Sequence, residues 1–278
     1  MNAKRNLRAL VLFFALAYIL PWLIWGTTIA ESRGLLSFHI PQSLAFWIGL
    51  TVATYVTAAI TGGWPAIKDI LLRLIRWRVQ PVWYLVALGV TGLLSLLAMG
   101  IYFVLGGTNQ VGVLLSSQDL VPSLLFQTFF FLLTEETAWR GFALPRLQAG
   151  YSALNASLIL GVLWGFWHLP LFLIPGSFQS TLPFLGFFLA TIAMSIITTW
   201  VFNHTHGSVL LVAILHAATD TTIAYTNVMS GGQTLFWIFV GVQMAFVVLL
   251  VVMQGAKQLS RNADLSGTIA PASGLNAN

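Results

Sequence analysis

Stretches of about 20 apolar residues recur eight times in this chain of 278 residues, near 9–29, 43–63, 82–106, 121–144, 154–174, 182–202, 208–228 and 234–254. In lipid, every backbone N–H and C=O must find its partner within the structure, so a chain of this kind spans the membrane as helices or as a closed barrel. Apolar runs of this length predict helices, and the expected fold class is all-α: a polytopic membrane bundle of about eight transmembrane helices. Composition agrees, with 58% hydrophobic and 7% charged residues and a mean hydropathy of +0.88. The fourth and seventh runs carry polar residues. Residues 1–254 read as one membrane domain with a motif-bearing core at 121–228, and residues 255–278, rich in Ala, Ser, Gly and Asn, as a disordered cytoplasmic tail. Cysteine is absent from the sequence, which excludes a disulfide framework and a thiolate site.

The net charge of +5 reflects topology rather than nucleic-acid binding. Placing alternate span ends on alternate sides puts Lys4, Arg5, Arg8, Lys68, Arg73, Arg76, Arg78, Arg140, Arg146, Lys257 and Arg261 together and leaves only Arg33 opposite. That asymmetry marks the cytoplasmic side, so both termini are expected there. The first run has signal-peptide features, with Thr28-Ile29-Ala30 as a passable cleavage site, but its length favours an uncleaved first span. Between spans two and three, Ile67, Ile70, Leu71, Leu74 and Trp77 recur at helical spacing, with Lys68, Asp69, Arg73 and Arg76 largely opposite and Pro65 near the start. This pattern predicts a helix lying on the cytoplasmic leaflet of the bilayer.

Against this apolar background, Glu135 and Glu136 stand side by side inside span four. A charge at the bilayer midplane costs about 2.5–3.5 kcal/mol even on insertion scales, so such a pair faces protein or water. On a regular helix Glu136 and Arg140 share a face and neutralise each other, while Glu135, rotated by about 100°, is left without a local partner. His168 in span five and the i,i+4 pair His216 and Asp220 in span seven are the other candidates. A rise of about 1.5 Å per residue from assumed cytoplasmic ends puts Glu135 roughly 16 Å, His168 roughly 20 Å and His216 roughly 15 Å deep, close to a common plane. A single intramembrane His is as readily a helix–helix hydrogen-bond partner as a reactive group.

Glu-Glu-x-x-x-Arg at 135–140 followed by Gly141-Phe142, an aromatic-x-x-x-His at 164–168 and His-x-x-x-Asp at 216–220 together resemble the three-motif signature of the CPBP family. These are the CAAX prenyl endoproteases and their bacterial Abi, or bacteriocin-processing, relatives. Jointly the motifs are specific; singly none is. Trp164 stands where the family usually has Phe, and Asp220 where it often has Asn. The resemblance implies an intramembrane endopeptidase in a bacterial plasma membrane, acting on a membrane-associated or prenylated, CAAX-like protein or a leader peptide. Its catalytic residues are then Glu135, Glu136, Arg140, His168, His216 and Asp220.

Amide hydrolysis needs activated water and a stabilised oxyanion. Glu135 with His168 is expected to activate the water, and His216, oriented by Asp220, to donate to the oxyanion or the leaving amine. Glu135, His168 and His216 could also coordinate a divalent metal such as zinc with an open position, although no His-Glu-x-x-His helix is present. The residues leave that choice open, with a lean toward a metal-free reaction. The expected partners are a membrane-associated protein or peptide and the lipid bilayer, not nucleic acid. Two rival classes remain: a proton-coupled transporter, since intramembrane Glu, His and Asp also build proton relays, and a catalytically idle bacteriocin-immunity or scaffold protein. An inverted repeat would favour the transporter, and none is visible.

Overall fold

The computed structural model describes residues 3–108 and 116–260, and within them every regular element is helical. Helix α1 covers Ala3–Ser32, α2 Thr51–Leu74 with a π-helical entry at Ala45–Leu50, α3 Val82–Val104 and α4 Leu120–Leu133. After a π-helical turn at Thr137–Ala143 come α5 (Leu144–Gln148), α6 (Ala153–Trp167), α7 (Phe184–His204), α8 (Val209–Thr226) and α9 (Gln233–Gln254). Seven of these helical stretches are long and apolar enough to cross a membrane. The eighth expected span, 121–144, is a broken helix.

The break has a local cause. Thr134 leaves the helical region at φ −116°, ψ −94°, and two hydroxyls return to the preceding turn: Thr134 Oγ1 donates to the Phe130 carbonyl at 2.7 Å and Thr137 Oγ1 to the Leu132 carbonyl at 2.5 Å. Such bonds substitute for part of the backbone ladder. The seven-residue π turn that follows is completely buried. Irregular backbone at membrane depth is tolerated where protein encloses it or it borders a cavity, and π turns concentrate at functional sites.

Hydrogen bonds collect the basic residues at one end of the bundle. Arg5 Nε donates to the Thr61 carbonyl at 2.5 Å, Asn6 to the Arg146 carbonyl at 2.7 Å and Arg76 to the His206 carbonyl. Gln148 reaches Asn203 at 3.2 Å, and Asn203 reaches the Gln258 carbonyl at 2.7 Å. The two extremities of the described chain thus share this end. Arg140 does not belong to it. The sequence reading placed Arg140 at the membrane edge, whereas it is fully buried in the π turn; the asymmetry of the remaining basic residues stands without it. At the start of the expected tail, residues 255–260 form a turn whose Ala256 and Lys257 carbonyls accept from Leu154 N and Ala153 N. The rest of that tail, 261–278, lies outside the described residues.

The helix expected on the membrane surface is the second half of α2, which restarts at Gly63 (φ 63°) ahead of Pro65. Its polar face differs from expectation at Arg73, which is buried against Asp69 at 2.9 Å and beside the Phe202 ring.

Two contacts set α6, the carrier of His168. Ser157, Gly161 and Gly165 form a seam of small residues against α7: a Cβ on Gly161 meets the Ile192 and Ser195 atoms at 3.0 Å, and Ser195 Oγ donates to the Ser157 carbonyl at 2.9 Å. Small residues of this kind let membrane helices approach closely. On the other side α1 is laced to the end of α6, with Trp22 Nε1 donating to the Trp167 carbonyl at 3.0 Å and Trp167 Nε1 to the Ala17 carbonyl at 2.8 Å. Helix α8, the carrier of His216, begins at a Ser208 cap and meets α3 through Thr91 and Thr219, whose hydroxyls are 2.8 Å apart.

Candidate active site

The break in the fourth span sends the two adjacent glutamates to different partners. Glu135 Oε2 accepts from the Trp164 indole N–H at 2.7 Å and from the Trp139 indole N–H at 3.3 Å. Glu136 Oε1 accepts from Arg140 NH1 at 3.0 Å and lies 2.7 Å from His216 Nδ1. Arg140 NH2 continues to Thr198 Oγ1 on α7 at 2.7 Å, and its guanidinium stands 4.4 Å from the Trp164 ring centroid. Glu136 and Arg140 are both completely shielded from solvent.

These contacts correct two expectations. Glu135 is not without a partner, because it is fixed by two indoles, one of them a single helical turn away. The group that orients His216 is Glu136, whereas Asp220 lines the cavity and makes no described hydrogen bond to that ring. Sequence reasoning paired Glu136 with Arg140 correctly and missed its second ligand, which comes from a helix 80 residues away.

Both imidazoles are held at Nδ1, and by groups that only accept. His168 Nδ1 is 2.8 Å from the Trp164 carbonyl and His216 Nδ1 is 2.7 Å from the Glu136 carboxylate, so each Nδ1 carries hydrogen and donates. Each ring therefore has Nε2 left for other work. Phe131 stacks on His216 with centroids 3.7 Å apart and planes 3° from parallel, and the Trp164 ring packs on it in a T-shaped arrangement at 5.3 Å.

Glu135, His168, His216 and Asp220, named from three separate helical stretches of the sequence, line one cavity of about 460 Å³. Aromatic side chains, among them Phe130, Phe131, Phe178 and Phe187, make up much of its wall, with Gln127, Thr191, Thr219 and Gln243 supplying polar points. Glu136 and Arg140 lie behind that wall. Among the described residues, no three His, Asp or Glu side chains are grouped so that they could hold a metal ion. Glu135 Oε2 and both imidazole Nδ1 atoms are already engaged, and these contacts leave Nε2 of each ring and Glu135 Oε1 uncommitted.

Residues 117–222, the stretch holding all three motifs, match the family model described as type II CAAX prenyl endopeptidase Rce1-like. The chain is also similar to CAAX prenyl protease 2 of Methanococcus maripaludis, with 34% identity over 151 residues, covering 52% of this chain and 55% of that protein. Both likenesses are to CAAX prenyl endopeptidases, and neither extends over much more than half of the chain. It spans about half the length of the curated relative it matches. In this chain the aromatic that opens the second motif is a tryptophan, and its indole N–H is what reaches Glu135. Sequence reasoning noted that residue only as standing where Phe is usual. Trp139 was legible in principle, since it stands four residues beyond Glu135.

Proposed function

We propose that this protein is an intramembrane endopeptidase that hydrolyses a peptide bond in a membrane-associated or prenylated, CAAX-like protein or leader peptide. One observation carries the reading: Glu135, His168 and His216, from three helical stretches, line a single cavity inside an apolar bundle. A transporter needs a relay that continues across the bundle, whereas here Glu136 and Arg140 close the set with an ion pair.

In the proposed reaction, water sits between the Glu135 carboxylate and His168 Nε2. Glu135 takes its proton as the water attacks the scissile carbonyl. The two indole N–H groups hold the carboxylate in place, so its position is set before substrate arrives. His216, tied through Nδ1 to Glu136, offers an N–H from protonated Nε2 to the oxyanion and then to the leaving amine. Arg140 offsets the charge of Glu136, so that the triad is not a bare anion buried in the bundle. Asp220, on the same wall, contacts the occupant of the cavity rather than the His216 ring.

The test is Glu135→Gln in purified protein. The variant keeps both indole contacts available and its thermal unfolding in detergent stays near that of the parent, while cleavage falls by about 10²-fold or more. Cleavage at the parental rate would remove Glu135 from the chemistry.

A further inference from the structure

Helix α9 lies beyond residues 117–222, so none of the three motifs reaches it, yet it contributes one side chain to the cavity, that of Gln243. Phe236, Phe239, Val240, Gln243, Val247 and Leu250 recur at spacings of three and four residues and form a buried stripe along the helix. Gln243 is the polar member of that stripe, near the middle of α9. A glutamine inside a membrane helix ordinarily bonds to a neighbouring helix. Here the side chain is only 3% exposed, and its Oε1 has no hydrogen-bond partner.

That condition sets Gln243 apart from the rest of the wall. Among the described residues, it is the cavity-lining side chain that holds a buried polar atom without a partner. The neighbouring polar points are engaged within the protein: Thr191 Oγ1 donates to the Phe187 carbonyl at 2.9 Å, Thr219 Oγ1 to the Leu215 carbonyl at 2.8 Å and Gln127 Nε2 to Ser123 Oγ at 2.7 Å. A buried acceptor left unpaired destabilises the protein, and the loss is recovered when an occupant of the cavity supplies a donor.

The chemistry of the occupant follows from what can donate there. A hydrocarbon chain has no donor to offer, whereas a peptide carries a backbone N–H at nearly every residue and loses its water partners on entering apolar walls. Glu135 lines the same cavity, so a peptide reaching that carboxylate also passes the amide. We infer that Gln243 is a substrate-binding residue whose side-chain carbonyl accepts a backbone N–H of the peptide beside the scissile bond. The identity of the occupant rests on the endopeptidase reading above. A bond of this kind is made as well in the bound substrate as in the transition state, so it acts on KM rather than on kcat.

The test uses the full-length chain in detergent and a synthetic peptide ending in S-farnesyl-Cys-Val-Ile-Ala. Analogues replace one backbone amide at a time beside the cleaved bond by an ester, which has no N–H. Gln243→Met keeps an unbranched side chain of similar length and removes the strong acceptor. With the all-amide peptide, KM is expected to rise about 10-fold while kcat stays within about 2-fold of the parent. The unfolding temperature without peptide is expected to be no lower than that of the parent, because an unpaired polar group has been removed. One ester analogue is expected to raise KM for the parent to a similar extent and to match the all-amide peptide with Gln243→Met. Ester penalties that are equal in the two proteins overturn the inference, since the amide then pairs with no substrate N–H. A lowered unfolding temperature with KM unchanged overturns it as well, because Gln243 then serves the fold. Binding is read separately in Glu135→Gln, where the peptide raises the unfolding temperature and adding Gln243→Met weakens its affinity about 10-fold. A peptide bound through Gln243 but never cut by the parent sinks the endopeptidase reading and leaves the binding role intact. A peptide cut with a KM indifferent to Gln243→Met does the reverse, and one that is neither bound nor cut counts against both.

Discussion

At the residue scale, the site is built so that each reactive group is held by an atom that leaves another atom free. Glu135 spends one oxygen on two indoles, and both histidines spend Nδ1. Trp164 takes part in three of these arrangements: its N–H holds Glu135, its carbonyl holds His168 and its ring packs on His216. Trp164→Phe keeps an aromatic ring, though a smaller one, at this position and removes the donor. Charged hydrogen bonds contribute about 1.5–3 kcal/mol, so kcat is expected to fall about 10-fold or more with KM little changed and the unfolding temperature preserved. A parental kcat in that variant means that the indole N–H is not used. Asp220 makes the opposite case. Because Glu136 rather than Asp220 orients His216, Asp220→Asn is expected to retain much of the activity, and a chelator is expected to leave the parent unchanged. Stoichiometric zinc in active protein, with loss on its removal and recovery on its return, decides for a metal instead. Motif spacing singled these residues out and paired Glu136 with Arg140, but it did not show the contacts made between helices. Spacing along one helix shows which neighbours share a face, and the partners that mattered came from other helices.

At the scale of elements, the two informative features are a break and a seam. Seven spans were legible because a run of about 20 apolar residues has few alternatives in a bilayer. The break at Thr134 was not, since the same run reads as a continuous helix until two threonine hydroxyls and a π turn redirect it. The assumption of a regular helix is also why Glu135 looked unpartnered. The seam of Ser157, Gly161 and Gly165 brings α6 onto α7, which places His168 over the cavity and Thr198 under Arg140. Gly161→Leu inserts a large side chain where a Cβ already meets backbone at 3.0 Å. Overpacking of this kind costs about 1–3 kcal/mol, and the variant is expected to unfold at lower temperature and to lose activity along with stability. Unchanged unfolding and unchanged cleavage mean that the seam can open without moving His168.

At the scale of the molecule, crossing number and charge agree. Seven helices long and apolar enough to cross a membrane, with the broken fourth stretch between them, return the described chain to the end where it began, and that end holds the basic loops. A reporter that is active only outside the cytoplasm is therefore expected to stay silent when fused after Gln258. Activity of that fusion places the basic end outside, contrary to the charge asymmetry.

The buried cluster of Arg140, Glu136 and Thr198 also has an electrical consequence. A pocket wetted from one face carries the potential of that solution inward as far as water reaches, so the membrane voltage falls across the dry remainder. A unit charge crossing the whole field changes energy by about 2.3 kcal/mol per 100 mV. Glu135 lines the cavity while Glu136 and Arg140 lie behind its wall, so a proton reaching Glu135 from water in that cavity would cross almost none of that field. A bundle wetted in that way would hold a titratable group among apolar helices without acting as a conductor, and changes in membrane voltage would leave the group's chemistry untouched.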